Sequence, residues 1–210
     1  MRETSTSLFS LFAMNKSNRF FLFACLIIML FPLAASSQSK ASAKPAIRLS
    51  PDTACNGMAI DHKSSVIRQV GNTAWKHAIT NTTQYPRLIL RSADNKQQLE
   101  LIQHYGNPDY NVSEFKLSYV DSKDTSTRYI KTNFTSFESG KKIKLGMTVA
   151  QVQQIWGSNG QLLRSNSKSI VQYRIKSGSY LQRHSKTLYY ATYTFQNDKL
   201  ISFSYGFDYE

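Results

Sequence analysis

Two runs near the C-terminus alternate residue by residue, and that alternation limits what the chain can fold into more than any other feature. Between residues 188 and 195, Tyr189, Ala191, Tyr193 and Phe195 fall on one side, and Leu188, Tyr190, Thr192 and Thr194 on the other. Between 200 and 209, Ile201, Phe203, Tyr205, Phe207 and Tyr209 share one face, and Ser202, Ser204 and Asp208 the other. Successive side chains of a strand point to opposite faces, so this spacing predicts strands with one face buried and one wet. Gln196-Asn197-Asp198-Lys199 between them is rich in turn formers, which makes the two runs a hairpin.

The same plan extends upstream. Residues 60–71 and 145–157 look like two short helices of about three turns. Asp61 and Thr148 stand where a side chain caps exposed helix amides. Val66/Val70 and Val152/Trp156 are apolar pairs four apart, on one helix face. Gly71 and Gly157 end the helices, where a left-handed geometry is common. Strand-like runs follow each helix: 87–90, 99–105 and 114–120 after the first, then 170–175, 188–195 and 200–209 after the second. Gly106-Asn107-Pro108-Asp109 is a turn. The expected fold class is α+β: two tandem repeats, each a short helix followed by an antiparallel three-stranded sheet, with helices on one face and the other face open. The boundary falls in the polar stretch 122–139, giving repeats at 51–133 and 134–210.

The second helix start, Gly146-Met147-Thr148-x-x-Gln151-Val152 with Trp156-Gly157 closing it, resembles the helix entry of the SmpA/OmlA-type outer-membrane assembly lipoproteins. With the strands that follow, it is also similar to the repeat of the β-lactamase inhibitory protein, which carries two such units in tandem. The resemblance spans about 70 residues, and is weaker over the first half. Gly146 permits a tight turn, Thr148 caps and Val152 packs, so the motif has structural content and little chemistry. Where the family often has Pro soon after the helix-ending Gly, this chain has Ser158-Asn159-Gly160. The acylated cysteine of the lipoproteins has no counterpart, so attachment to the assembly machinery is not implied. What the resemblance implies is the fold and a tendency towards protein–protein recognition.

Residues 1–37 are expected to be a secretory signal: Lys16 and Arg19, then an apolar run of 16 residues from Phe20 to Ala35, then small residues ending at Ser37. The run is shorter than the roughly 20 residues that span a bilayer. Pro32 breaks its helix near the cut between Ser37 and Gln38. Met14 offers a more usual start than Met1. Leu22-Phe23-Ala24-Cys25 resembles a lipid-attachment box, but Cys25 lies inside the apolar run. Residues 38–50, small, polar and basic, form a linker. Cleavage leaves one cysteine, Cys55, and hence no intrachain disulfide. Cys55 reads as a small buried apolar residue, with a dimer-forming thiol as the sharper alternative.

The chain carries 26 Lys+Arg against 13 Asp+Glu, a net charge of +13, and removal of the signal leaves +11. Such a charge attracts anionic surfaces. Export and the scatter of the cations argue against nucleic acid. His62, His77, His104 and His184 lack metal-ligand spacing, so no metal and no cofactor are expected. No G-x-S-x-G elbow and no paired carboxylates stand out among Glu114, Asp121, Asp124, Glu138 and Asp208. Asn81-Thr82-Thr83, Asn111-Val112-Ser113 and Asn133-Phe134-Thr135 match the glycosylation pattern and are read as chance matches. Tyr173, Arg174, Lys176 and Tyr190, on or beside the outward face of the second sheet, are the candidate binding residues, because exposed tyrosine offers contact area at low entropy cost. Cross-strand pairing is the structural alternative for the tyrosines. The expected function is an exported, periplasmic or extracellular, non-catalytic binding module for a protein or an anionic envelope component, with no transmembrane span after cleavage. An enzyme acting on an envelope polymer and a purely structural domain are the alternatives.

Overall fold

The C-terminal hairpin forms as the alternation predicts and stands near the middle of a larger sheet. The structure, a computed structural model, describes residues 49–72, 85–107, 111–121 and 128–209, all within one compact unit, Pro45–Glu210. The signal and most of the linker, His77, Asp124 and the Asn81-Thr82-Thr83 site lie outside the described residues.

Ala54–Cys55 (β1) and Met58–Ala59 (β2) make a small hairpin, followed by helix Lys63–Val70 (α1). Arg87–Arg91 (β3), Gln97–Ile102 (β4), Glu114–Tyr119 (β5) and Ile130–Lys131 (β6) follow. Then come helix Val149–Trp156 (α2), Gln161–Ser165 (β7), Lys168–Ile175 (β8), a short helix Ser179–Arg183 (α3), Tyr189–Gln196 (β9) and Lys199–Phe207 (β10). The fold class is α+β. The expected pair of three-stranded sheets is corrected to one eight-stranded sheet, ordered β6-β3-β4-β5-β10-β9-β8-β7 and antiparallel except for β3 with β6. The reason lies in the third strand of each half. Left apart, β5 and β10 would each present an unpaired row of backbone groups. They pair with each other instead, from Ser202↔Ser118 to Gly206↔Glu114.

A bulge between Leu200 and Ser202 corrects the alternation of the last strand. One extra residue, Ile201, turns Leu200 inward beside Phe203, Tyr205 and Phe207 and leaves Ile201 half-buried. Tyr189, Ala191, Tyr193 and Phe195 of β9 are all buried on this inner face. Trp156 of α2 seats on it, stacked on Tyr173 (5.0 Å between centroids) and Tyr189 (5.9 Å), with its indole N–H donating to the Tyr193 hydroxyl (2.6 Å). Burying one such side chain contributes about 1.5–3 kcal/mol. The segment before α1 covers the same face: Asp52 N donates to the Tyr189 hydroxyl (3.1 Å), and the Tyr205 hydroxyl donates to Ala54 O.

Both helices have eight residues, close to two turns and shorter than expected. Thr148 caps α2 in a full capping box: its hydroxyl accepts from Gln151 N (3.2 Å) and its own amide donates to Gln151 Oε1 (2.8 Å). Asp61 does not cap α1, which starts after His62 without a side-chain cap. Its backbone is left-handed (φ +60°), and its carboxylate is held by Asn107 Nδ2 (3.1 Å), the Tyr209 hydroxyl (2.7 Å) and Lys186 Nζ (2.7 Å).

Candidate binding face

The alternation that buries one face of the sheet sends short hydroxyl side chains to the other. Across the middle strands, Ser118, Ser202 and Thr194 stand in one row and Ser204 and Thr192 in the next, all half-buried. Gly206 continues the floor with no side chain at all. A Cβ at Gly206 would lie 2.5 Å from Ser113 O, so β10 and β5 approach here more closely than any other residue allows.

Longer polar side chains rise on both sides of this floor. Over β3–β5, Glu100 is buried beneath Arg87 (2.9 Å) and Lys116 (3.1 Å), and its neighbour Ile89 is also buried, so the open part of the face is β5–β10–β9–β8. Over Gly206, Glu114 Oε2 accepts the Tyr190 hydroxyl (2.9 Å) and pairs with His104 Nε2 (3.0 Å). Burial, and then the neighbouring Glu114, push the Tyr190 phenol up, which keeps it protonated as a donor. Beyond His104 the aromatics reach solvent: Tyr85 packs at a tilt against His104 (4.8 Å) and Tyr105 (5.2 Å), and Tyr105 is 69 % exposed.

The structure separates the four candidate binding residues. Arg174 and Tyr190 are cross-strand partners on the outer face. Lys176 follows the end of β8 and joins Arg174 along a groove with Leu49–Pro51. Tyr173 is corrected to the inner face. It is 2 % exposed, its hydroxyl donates to Gly157 O (2.9 Å), and burial pushes its phenol up to about 12. In the α2 motif, Gly146 (φ +86°) and Gly157 (φ +87°) hold left-handed turns, Met147 packs against the core, and Val152 and Trp156 are fully buried.

The catalytic alternative gains one feature and lacks another. His104 and Glu114 meet, but the serine beside them, Ser113, is fully buried, its hydroxyl accepting from Asn107 Nδ2 (2.8 Å) and His104 N (3.0 Å). That hydroxyl cannot reach a substrate. His184 stands elsewhere, stacked on Tyr180 (4.3 Å), and His62 is exposed at the start of α1. Among the described residues no group of three metal-ligating side chains forms, and no helix is long and apolar enough to cross a membrane. Asn111 of one glycosylation match is engaged, accepting from Lys63 N (3.3 Å). The His104–Glu114–Tyr190 cluster was beyond sequence reasoning, because its members come from three strands or their ends. The register Ile102↔Glu114 would have revealed it.

A family model described as Beta-lactamase inhibitor (BLIP) matches residues 136–204, from before α2 into β10. No curated protein and no solved structure matches the chain.

Proposed function

We propose that this chain is an exported, non-catalytic module that binds a folded protein on the outer face of its sheet. The observation that carries the reading is the open floor of small hydroxyl side chains, Ser118 of β5, Ser202 and Ser204 of β10 and Thr192 and Thr194 of β9, which Ile170 and Gln172 of β8 continue. The family match supports it, since an inhibitor of β-lactamases acts by binding another protein. The two halves are read as tandem repeats: outward from the β5–β10 seam, β4-β3 on one side matches β9-β8 on the other. The helix of the matched region, α2, packs behind the strands that follow it.

Size decides how much of the surface must take part. Four strands about 4.8 Å apart and about 24 Å long give a floor of roughly 450 Å². A stable interface takes about 800 Å² from each partner. The rim must therefore contribute, and Tyr105 and Tyr85 at the His104 end and Arg174 at the other supply the aromatic and arginine contacts typical of interface centres. An anionic envelope polymer is the second reading, favoured by the net charge of +11 that remains after removal of the signal.

The test is affinity capture from envelope extract with Ser204→Arg and Thr192→Arg, which fill the floor from an outward-facing position. Loss of a reproducible protein partner in both, with retention in Gln154→Arg on the exposed side of α2, supports the proposal. Unchanged capture in both floor variants defeats it. Capture of polymer alone, abolished by salt, favours the second reading.

A further inference from the structure

Past the end of β8 the chain turns away from the sheet and, with the segment Leu49–Pro51, encloses a groove of about 630 Å³. That volume falls within the range of ligand sites, about 300–1,000 Å³. Arg174 and Lys176 line it, both exposed, and neither forms an ion pair with a described residue. Two more cations stand at its margin: Lys141 Nζ lies 3.3 Å from Ser50 Oγ, and Arg183 Nε donates to Ser179 O (3.2 Å). Ser50 and Ser179 are themselves lining residues, and no carboxylate lines the groove.

Glu100, Glu114, Glu138, Asp61 and Asp94 are each paired with a Lys, Arg or His side chain. The carboxylate nearest along the chain, Asp52, is 2 % exposed and accepts from Lys141 N (3.1 Å), so it faces the protein and not the groove. In this concavity cations gather with no carboxylate among the lining residues.

We infer that this groove binds an acidic peptide segment of a partner protein, its carboxylates held by Arg174 and Lys176. Arginine offers a planar fork that matches a carboxylate through two parallel hydrogen bonds, and lysine adds a point charge. The choice of peptide over an acidic glycan comes from the other lining residues. Leu49, Pro51 and Tyr180, all partly exposed, supply apolar contact, which a peptide can match with apolar side chains between its acids and a sulfated sugar chain cannot. The partner class rests on the protein-binding reading above. The charge imbalance does not.

The experiment uses the purified full chain and a fluorescein-labelled pentapeptide alternating Glu and Leu, followed by fluorescence anisotropy at low and high salt. Wild type binds, and Arg174→Ala with Lys176→Ala together weaken binding by about tenfold or more, with circular dichroism unchanged because both residues are exposed. Arg174→Lys keeps part of the affinity. Arg164→Ala and Lys168→Ala, exposed cations on β7 and β8 outside the groove, bind as wild type. The inference is overturned if the double variant binds as wild type, or if a Lys-Leu peptide binds as well. It is equally overturned if a heparin-derived oligosaccharide displaces the peptide with greater affinity and the same dependence on Arg174. Ser204→Arg leaves the peptide bound. A chain that fails in partner capture yet binds the peptide through Arg174 loses the sheet-face reading and keeps this one, and the converse result removes this one alone.

Discussion

Gly206→Ala tests the seam that makes one sheet from two halves. The added Cβ would stand 2.5 Å from Ser113 O and 3.0 Å from Glu114 Cα, and both are backbone atoms that no rotamer change can move aside. Ser113 O is also held by Phe207 N (3.2 Å), the residue after the glycine. The strands must separate, and overpacking of this kind costs about 1–3 kcal/mol. Separation stretches the Tyr190–Glu114 hydrogen bond, whose loss adds about 1.5 kcal/mol because the acceptor is a carboxyl oxygen shielded from water. Replacing glycine stiffens the unfolded chain and offsets about 0.4–1 kcal/mol. The net is a loss of about 2–4 kcal/mol. For a chain of this size that lowers Tm by roughly 5–15 °C, read by far-UV circular dichroism and checked by calorimetry. Tyr190→Phe removes the hydrogen bond alone and lowers Tm by about 3–6 °C. Ser204→Ala, on the same face without a clash, shifts it by less than about 2 °C. A Gly206→Ala protein that melts within about 2 °C of wild type, or above Tyr190→Phe, refutes the close approach of β10 to β5 and with it the continuous outer face.

Three further outcomes follow from single residues. Thr148→Ala removes both bonds of the capping box and lowers stability by about 1 kcal/mol, measured by urea unfolding; a midpoint unchanged from wild type would show that the box contributes nothing. Burial raises the Asp52 carboxyl above its ordinary value of 3.8, so its stabilising share is fully present below that value and is lost as pH rises through the higher folded one. Asp52→Asn removes this dependence: the Tm of wild type relative to the variant falls as pH rises above the ordinary carboxylate value, and a difference flat with pH contradicts the burial argument. In a chain beginning at Gln38, Cys55 is the sole thiol, fully buried, and burial pushes that thiol up. A thiol reagent at neutral pH therefore labels it only at the rate of unfolding, and rapid labelling of the native protein would show the site to be open.

The parts of the fold that were legible in the sequence are those fixed by neighbours in the chain. Thr148 and Gln151 are three residues apart, so the cap could be read directly, and the inner row of β9 followed from its period of two. Asp61 shows where local reading stops. It has the right chemistry for a cap, but Asn107, Tyr209 and Lys186 claim its carboxylate from far along the chain. The inward placement of Tyr173 is hidden in the sequence for a related reason. Ile170, Val171, Tyr173 and Ile175 put apolar residues on both faces of β8, so the run carries no sign of which face is buried until Trp156 stacks on one of them. The bulge at Ile201 and the β5–β10 pairing are likewise products of strand register, which the sequence of one strand does not contain.

Register also explains where the surplus positive charge comes to rest. Cross-strand pairing sets Glu100 opposite Lys116, and a step across the hairpin end brings Glu114 to the His104 ring, so acids on the sheet meet polar partners on neighbouring strands. That pairing needs an acid on an adjacent strand. Arg174 sits opposite Tyr190, whose hydroxyl is already committed to Glu114, and Lys176 lies beyond the last pair of β8 with β9. Neither position has a strand neighbour able to neutralise it. The sheet thus satisfies its acids internally over β3–β5, and leaves Arg174 and Lys176 unmatched where β8 ends. A partner laid on the hydroxyl floor meets a surface whose charges are spent on one another, so shape governs contact there, whereas at the groove it meets charge that only the partner can match.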